Sequence, residues 1–387
     1  MATTLHELET EAQPDLRAQH ETDGRSPARP GVLPAVYAEH RVLLVVTLAF
    51  LASGLLLDSL LWPGAMGELG RQPIIAYAVL LAWCLPLGAP LWYRLRVRDA
   101  DGARIGGLAG WRAGWALARR RLLSGPRLAG YALAVLSLVL TLQSFLIWKA
   151  AIPLIQPFAW DPFFHRLDVA LHLGRAPYEW LQPVLGSPQA TSAIDFGYHH
   201  LWMYLLVGFM VGQAARAPGP DRRQALLSFV LMWILLGTVA AIVFASAGPV
   251  YYDRVLEVGV GGPYAPLMDY LADAERRTGP LSALRIQEFL WTGYAAGGRP
   301  FGTGISAFPS LHIASTAWFA LCVGRASRRW AAALWGMTAF MLIGSVHLGW
   351  HYAVDGYAAL LAMIGIWWCC GRLAREPRNP AGGEVGA

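Results

Sequence analysis

YALAVLSLVLTLQSFLIWKAAI, residues 131–152, contains one charged side chain, Lys149, and is otherwise almost wholly apolar. At 1.5 Å rise per residue a helix of this length reaches across the roughly 30 Å of a bilayer's hydrocarbon core. Lys149 is also the only lysine in the 387 residues; the other 30 basic residues are arginines.

The same pattern recurs along the chain. Hydrophobic residues make up 56% of the sequence and charged residues 14%, against roughly 25% charged in ordinary soluble domains. The mean hydropathy is +0.40. The apolar residues cluster near 42–62, 73–95, 131–152, 194–214, 226–247, 308–325, 330–350 and 354–371. These runs predict an all-α polytopic membrane bundle of about eight transmembrane helices. The composition excludes a soluble globular domain. The net charge of +6 does not point to nucleic acid, because arginine placement at the membrane explains it.

Residues 1–40 are polar, carry both charge signs and lack periodicity, and are expected to form a disordered tail. They show no short basic, apolar and small-residue succession, so no cleaved leader is expected. Cys84, Cys322, Cys369 and Cys370 all fall in apolar runs, which predicts buried thiols and no disulfide framework. The expected organisation is a tail over 1–40, two N-terminal spans and a basic loop over 41–130, a membrane domain over 131–372, and a second tail over 373–387.

The arginines orient the spans. Nine lie between Arg94 and Arg127, against only Asp99 and Asp101. Arg216, Arg222 and Arg223 follow the fourth span; Arg325, Arg328 and Arg329 follow the sixth; Arg372, Arg375 and Arg378 follow the eighth. Every second connection is basic, which places these connections and both termini in the cytoplasm of an integral, bacterial-type plasma-membrane protein. The long connections 153–193 and 248–307 then face outward. Lys149 falls near the outer end of the third span, where two readings are open. It snorkels to the outer headgroups, or it reaches a phosphate or an outer acid such as Asp161 or Asp168.

Two outward stretches carry chemistry. In GTGISAFPSLHIAS, residues 302–315, Ser310 and His312 sit at the start of a span, where unpaired N–H groups and the positive end of the helix dipole suit an anion. In GSVHLGWHYAVDGYAA, residues 344–359, His351 and Asp355 are four apart. A carboxylate on one imidazole nitrogen orients the ring and raises the nucleophilicity of the other. His347, four before His351, is expected to face the same way and touch substrate or cap its helix. A third stretch, SAIDFGYHHLWMY over 192–204, holds Asp195 and His199 at the same spacing. It reads as acceptor recognition, as a second His–Asp pair, or as interfacial anchoring with Trp202 and Tyr204. In 160–174, Phe164, Leu167 and Leu171 form a stripe that suits a helix lying in the outer interface or packed on the bundle.

AFPSLH, followed about forty residues later by HYAVD, resembles the type 2 phosphatidic acid phosphatase superfamily, and within it the branch containing inositol phosphorylceramide synthases. Pro309, Ser310, Leu311 and His312 match the Pro-Ser-Gly-His motif with Leu for Gly. His351 and Asp355 match the end of the third motif, while Gly344 and Ser345 occupy its Ser-Arg positions. Arg299-Pro300 matches the end of the first motif, with Thr292 at its lysine. GPVYYDRV, residues 248–255, is similar to a synthase stretch and offers Arg254 as the preferred phosphate clamp, with Arg299 the alternative. LDVALHLG, residues 167–174, is similar to that branch too. The resemblance spans roughly 145–371 and implies a six-helix catalytic core preceded by two added helices.

It also implies roles. His351 is the nucleophile that forms a phosphohistidine, Asp355 its orienting partner, and His312 the acid and then the base. Ser310, Arg254 or Arg299, Lys149 and His347 surround the phosphate. No cofactor and no metal are implied. The expected activity is outward-facing transfer from a membrane lipid phosphate or phosphodiester to a polyol such as inositol or a lipid hydroxyl. Hydrolysis by water is the alternative. A lipid transporter is the non-enzymatic alternative, but no internal repeat and no midplane charges support it. Nothing in the sequence fixes an oligomeric state.

Overall fold

The computed structural model describes residues 32–62, 106–122, 125–258, 261–297 and 302–375, and among these it contains helices and no strand. The long elements are α1 (Val32–Leu61), α2 (Gly107–Leu122), α3 (Gly125–Ile155), α7 (Trp202–Ala214), α8 (Pro220–Leu231), α11 (Leu311–Gly324), α12 (Arg328–His347) and α13 (Ala353–Arg375). The outer connections fold into α4 (Asp161–Leu171), α5 (Pro177–Leu185), α6 (Pro188–Phe196), α9 (Ala265–Thr278) and α10 (Ser282–Ala295). Among the described residues, five helical stretches are long and apolar enough to cross a membrane: Glu39–Leu61, Gly125–Ile155, Pro220–Val243, Arg328–His347 and Ala353–Arg375. The fold is a polytopic helical bundle.

The predicted spans map onto α1, α3, α7, α8 with its continuation to Val243, α11, α12 and α13; the predicted second span, 73–95, and Cys84 lie outside the described residues. Residues 32–40, expected in the polar tail, instead form the first turns of α1. Cys322 and Cys370 are buried, but Cys369 is exposed, because its position on α13 turns away from the bundle.

One end of the bundle gathers the basic connections. Arg325 pairs with Asp221, Arg223 donates to the Ala374 carbonyl, and buried Arg222 donates to Glu39 and to the carbonyls of Gly130 and Ala214. This ties the starts of α1, α3 and α8 to the ends of α7, α11 and α13. The opposite end carries α4–α6, α9 and α10.

Two helices depart from α-geometry on the way to that opposite end. Gly197–Leu201, leading into α7, and Met232–Ala240, following α8, are π-helical. A π turn inserts extra backbone and rotates the side chains that follow, a device frequent at functional sites. Here the two segments aim Tyr198, His199, Trp233 and Gly237 at one cavity.

Candidate active site

The site is built at the start of α13. Its first three residues each present an N–H without an intrahelical acceptor. Asp168 of α4 accepts from Ala353 and Val354 at 2.7 and 2.9 Å. Asp355 reaches back to accept from Tyr352 N at 3.1 Å, as in a capping box. The same Asp355 Oδ2 lies 3.3 Å from His351 Nδ1. The pair thus forms around a helix start, with His351 in the preceding loop, and not on one face of a continuous helix as its spacing suggested.

A second carboxylate of α4, seven residues earlier on the same face, fixes the neighbouring loop. Asp161 accepts from Ala247 N and Gly248 N, each at 2.8 Å, and from the Tyr352 hydroxyl at 2.8 Å. Burial pushes Asp161 above the usual carboxylate range, and it pushes Asp168 up to about 6, against the pull of their amide donors. Both acids are therefore engaged by backbone; neither pairs with Lys149. The stripe read in 160–174 is split: Phe164 is buried and stacks on Phe308 with centroids 4.6 Å apart, while Leu171 is exposed.

His312 lies in the first turn of α11, held between Tyr198 and Trp202 with ring centroids 4.5 and 4.1 Å away. Its ring centroid is 6.4 Å from that of His351. Both imidazoles line a cavity of about 360 Å³, together with Lys149, Tyr198, His199 and Trp350. Burial draws the His351 imidazole down to about 3, opposed by the nearby Ala307 carbonyl and reinforced by the Lys149 ammonium. His351 is consequently neutral at physiological pH, the form a nucleophile requires.

Three loops meet on this cavity and need glycine to do so. Gly248 has φ +94°, and a Cβ there would lie 2.8 Å from the Trp350 carbonyl oxygen. A Cβ at Gly304 would lie 2.6 Å from the Lys149 carbonyl group, so the 302–310 loop rests directly on the backbone of α3.

Among the described residues the cavity wall carries no acid, and several of its polar atoms lack a partner. These are Tyr198 Oη, His199 Nε2, Trp233 Nε1 and Trp350 Nε1, all buried. Three of them are N–H or O–H donors without acceptors, next to an ammonium, an arrangement that suits an anion. Below this polar layer the wall is apolar, formed by Leu142 and Phe145 of α3 and by Leu206 and Met210 of α7.

A family model described as the PAP2 superfamily matches residues 162–369. The chain belongs to the PAP2 superfamily. Membership supports a lipid phosphatase-type, phosphoesterase function. No curated protein and no solved structure matches the chain. The PAP2 match takes in α4 to most of α13 and leaves α1 to α3, and so Lys149, outside it.

Of the residues expected at the PAP2 site, His351, Asp355 and His312 come together, and Lys149 lines the same cavity. Ser310 does not reach the wall. It is fully buried behind it, with Oγ unpartnered and its N–H donated to the Asp355 carbonyl at 3.3 Å. Arg254 is drawn away: it pairs with Glu288 at 3.0 Å on the exposed surface and lies over the Trp291 ring. His347 also points elsewhere. Its Nε2 meets Thr191 Oγ1 at 2.9 Å, because α12 ends there and the loop turns through Gly349 at φ +74° before His351. Arg299 lies outside the described residues.

At the PAP2 Ser-Arg positions, Gly344 packs against Ile194 and Tyr198, and Ser345 is buried with its carbonyl holding the N–H groups of Trp350 and His351. There is no room there for an arginine side chain. The indole donors Trp233 and Trp350 escaped the sequence reading. Trp350 adjoins His351, but a tryptophan among 17 in an apolar chain carries no distinguishing signal.

Proposed function

We propose that this protein is an integral membrane phosphotransferase acting on a lipid phosphate or phosphodiester through a phosphohistidine on His351. The observation that carries this reading is the facing of two imidazoles, 6.4 Å apart by centroid, one backed by a buried carboxylate, within a single cavity.

Asp355 accepts the Nδ1–H of His351 and leaves Nε2 with its lone pair. Nε2 attacks phosphorus; the N–P bond forms as the P–O bond to the leaving alkoxide breaks. His312, entering the step in its protonated form, gives its proton to that oxygen. An acceptor hydroxyl then returns a proton to His312 and attacks phosphorus, and the N–P bond breaks. The protons balance over the two steps. The resident groups supply charge stabilisation, which is most of what phosphoryl transfer asks of a protein. Lys149 and the indole N–H groups are placed to supply it. The residues present suffice without a metal.

The acceptor is an alcohol, such as inositol or a lipid hydroxyl, in keeping with the likeness to the inositol phosphorylceramide synthase branch. The buried, largely apolar cavity favours transfer over hydrolysis by limiting water. With the arginine-rich end in the cytoplasm, the cavity opens on the extracytoplasmic side and both termini are cytoplasmic.

The test uses purified protein in mixed micelles with phosphatidic acid or phosphatidylinositol, with and without inositol and ceramide. Phosphate release and headgroup exchange are followed, and acid-labile, base-stable phosphoenzyme is trapped. His351→Ala should abolish turnover and phosphoenzyme. Asp355→Asn should slow turnover by about 10²–10⁴-fold. Turnover that survives His351→Ala would refute the mechanism. Release of phosphate with no transfer to any alcohol would leave hydrolysis as the activity.

A further inference from the structure

His199 and Asp195 stand outside the reaction just described, yet they border its cavity. The pair sits at the π-helical turn between α6 and α7. Around this turn, Phe196, His200, Leu201 and Tyr204 point outward and are exposed. These are the residues that anchor the segment at an interface. Tyr198 and His199 point inward, and both line the cavity that holds His312 and His351.

The geometry of the pair repeats that of His351 and Asp355. His199 Nδ1 lies 3.0 Å from Asp195 Oδ1. Asp195 is itself fixed as a carboxylate, since its two oxygens accept from Ser282 N and Ala283 N at the start of α10, each at 2.8 Å. The other ring nitrogen, Nε2, is buried and has no partner among the described residues. If the pair served only to fasten α6 to α10, the Asp195 bonds to backbone would suffice, and a buried nitrogen facing an anion-suited cavity would be left unexplained.

The role follows from the stereochemistry of displacement. His351 occupies one apical position at phosphorus. The leaving and incoming oxygens use the opposite apex in turn, and His312 serves that apex in both half-reactions. A third imidazole in the same cavity is left to address the equatorial oxygens, where negative charge is spread in the transition state. We propose that His199, held by Asp195, is a further catalytic residue that donates its Nε2–H to a nonbridging oxygen of the phosphoryl group. This rests on the phosphotransfer reading given above. Removing this donor should therefore weaken the binding of a tetrahedral oxyanion. The titratable groups facing His199 are Asp195 on its own segment, Tyr198 beside it, Lys149 from α3, His312 from α11, Tyr251 from the 249–251 turn and His351 from the loop before α13.

Tungstate, a tetrahedral dianion near neutral pH, is the probe. Its binding to the protein in detergent can be read from the fluorescence of the tryptophans on the cavity wall. His199→Gln, which is close to the imidazole in size, should bind at least tenfold more weakly than wild type. Turnover should fall about 10²–10³-fold, the range for removing one transition-state donor. His199→Asn provides a second neutral variant should the first fail to fold. Equal tungstate affinity in a folded variant would overturn the inference. Tungstate binding that weakens in the variants, with no turnover of any lipid phosphate by wild type, would sink the phosphotransfer reading and leave the His199 donor standing. Turnover in His199→Gln equal to wild type would do the reverse.

Discussion

His351 shows how burial chooses a protonation state. A histidine ordinarily titrates near 6.5. Enclosure in the cavity, with the Lys149 ammonium adding to it, brings this ring down to about 3. The neutral ring is the reactive one, so activity that depends on it is present above that value and lost only as the pH falls through it. The acid limb of kcat/KM should therefore lie well below 6.5. Measurement of kcat/KM from about pH 8 to 4 checks this; a limb at the ordinary histidine value that vanishes in no other histidine variant would contradict it. The residue scale is also where sequence reading was strongest and weakest. His351, Asp355 and His312 were legible because motif spacing survives folding. Arg254 was not, since the residue that captures it, Glu288, is 34 positions away and no local pattern announces the pairing. His347 failed for a different reason: helical periodicity stops where the helix stops, and Gly349 turns the chain before His351 is reached.

At the scale of elements, α4 does the positioning. Its two buried carboxylates hold the 247–248 loop and the first turn of α13. Asp168→Ala would strand the N–H groups of Ala353 and Val354 at a cost of about 1–3 kcal/mol for each buried group. A clear fall in thermal stability is expected, together with a fall in turnover larger than for a surface control, because His351 loses its footing. Asp168→Asn retains one acceptor oxygen and should fall between the two. Gly304 provides a second element-scale test. Its substitution by Ala sets a methyl group against the Lys149 backbone, which cannot retreat as a side chain would. Overpacking of this kind costs about 1–3 kcal/mol. A shift of the 302–310 loop by an ångström should reduce turnover by up to about 10²-fold, measurable as kcat at saturating substrate. The sequence predicted the spans flanking these loops from their hydropathy. It suggested α4 through the stripe in 160–174 but did not show that the other outer connections would fold into α5, α6, α9 and α10, because short helices with mixed faces carry a weaker periodic signal than a membrane span. The π turns at Gly197–Leu201 and Met232–Ala240 had no signal at all in apolar stretches where every register is equally hydrophobic.

For the whole molecule, the alternation of basic connections has a structural counterpart. Arg216 after α7 and Arg325 after α11 pair with Asp221 at one end, where Arg223 also holds the Ala374 carbonyl near the end of α13, and the cavity with His312 and His351 lies toward the other. The proposed orientation can be checked in intact cells with a membrane-impermeant thiol reagent. A cysteine replacing exposed Arg175, in a background without native cysteines, should react from outside. Exposed Cys369, on the last helix near the arginine end, should react only after permeabilisation. The opposite labelling pattern would invert the topology.

The bonds from Asp168 to Ala353 and Val354 join a segment made midway through synthesis to the opening of the last long helix. A growing chain has already inserted His312 and most of the cavity before that helix leaves the ribosome. Until Ala353 and Asp355 arrive, however, the clasp on α4 has nothing to grip and His351 has no carboxylate beside it. On the proposed mechanism, phosphoryl transfer is thereby withheld from every unfinished copy, and a chain cut short before α13 would be inert.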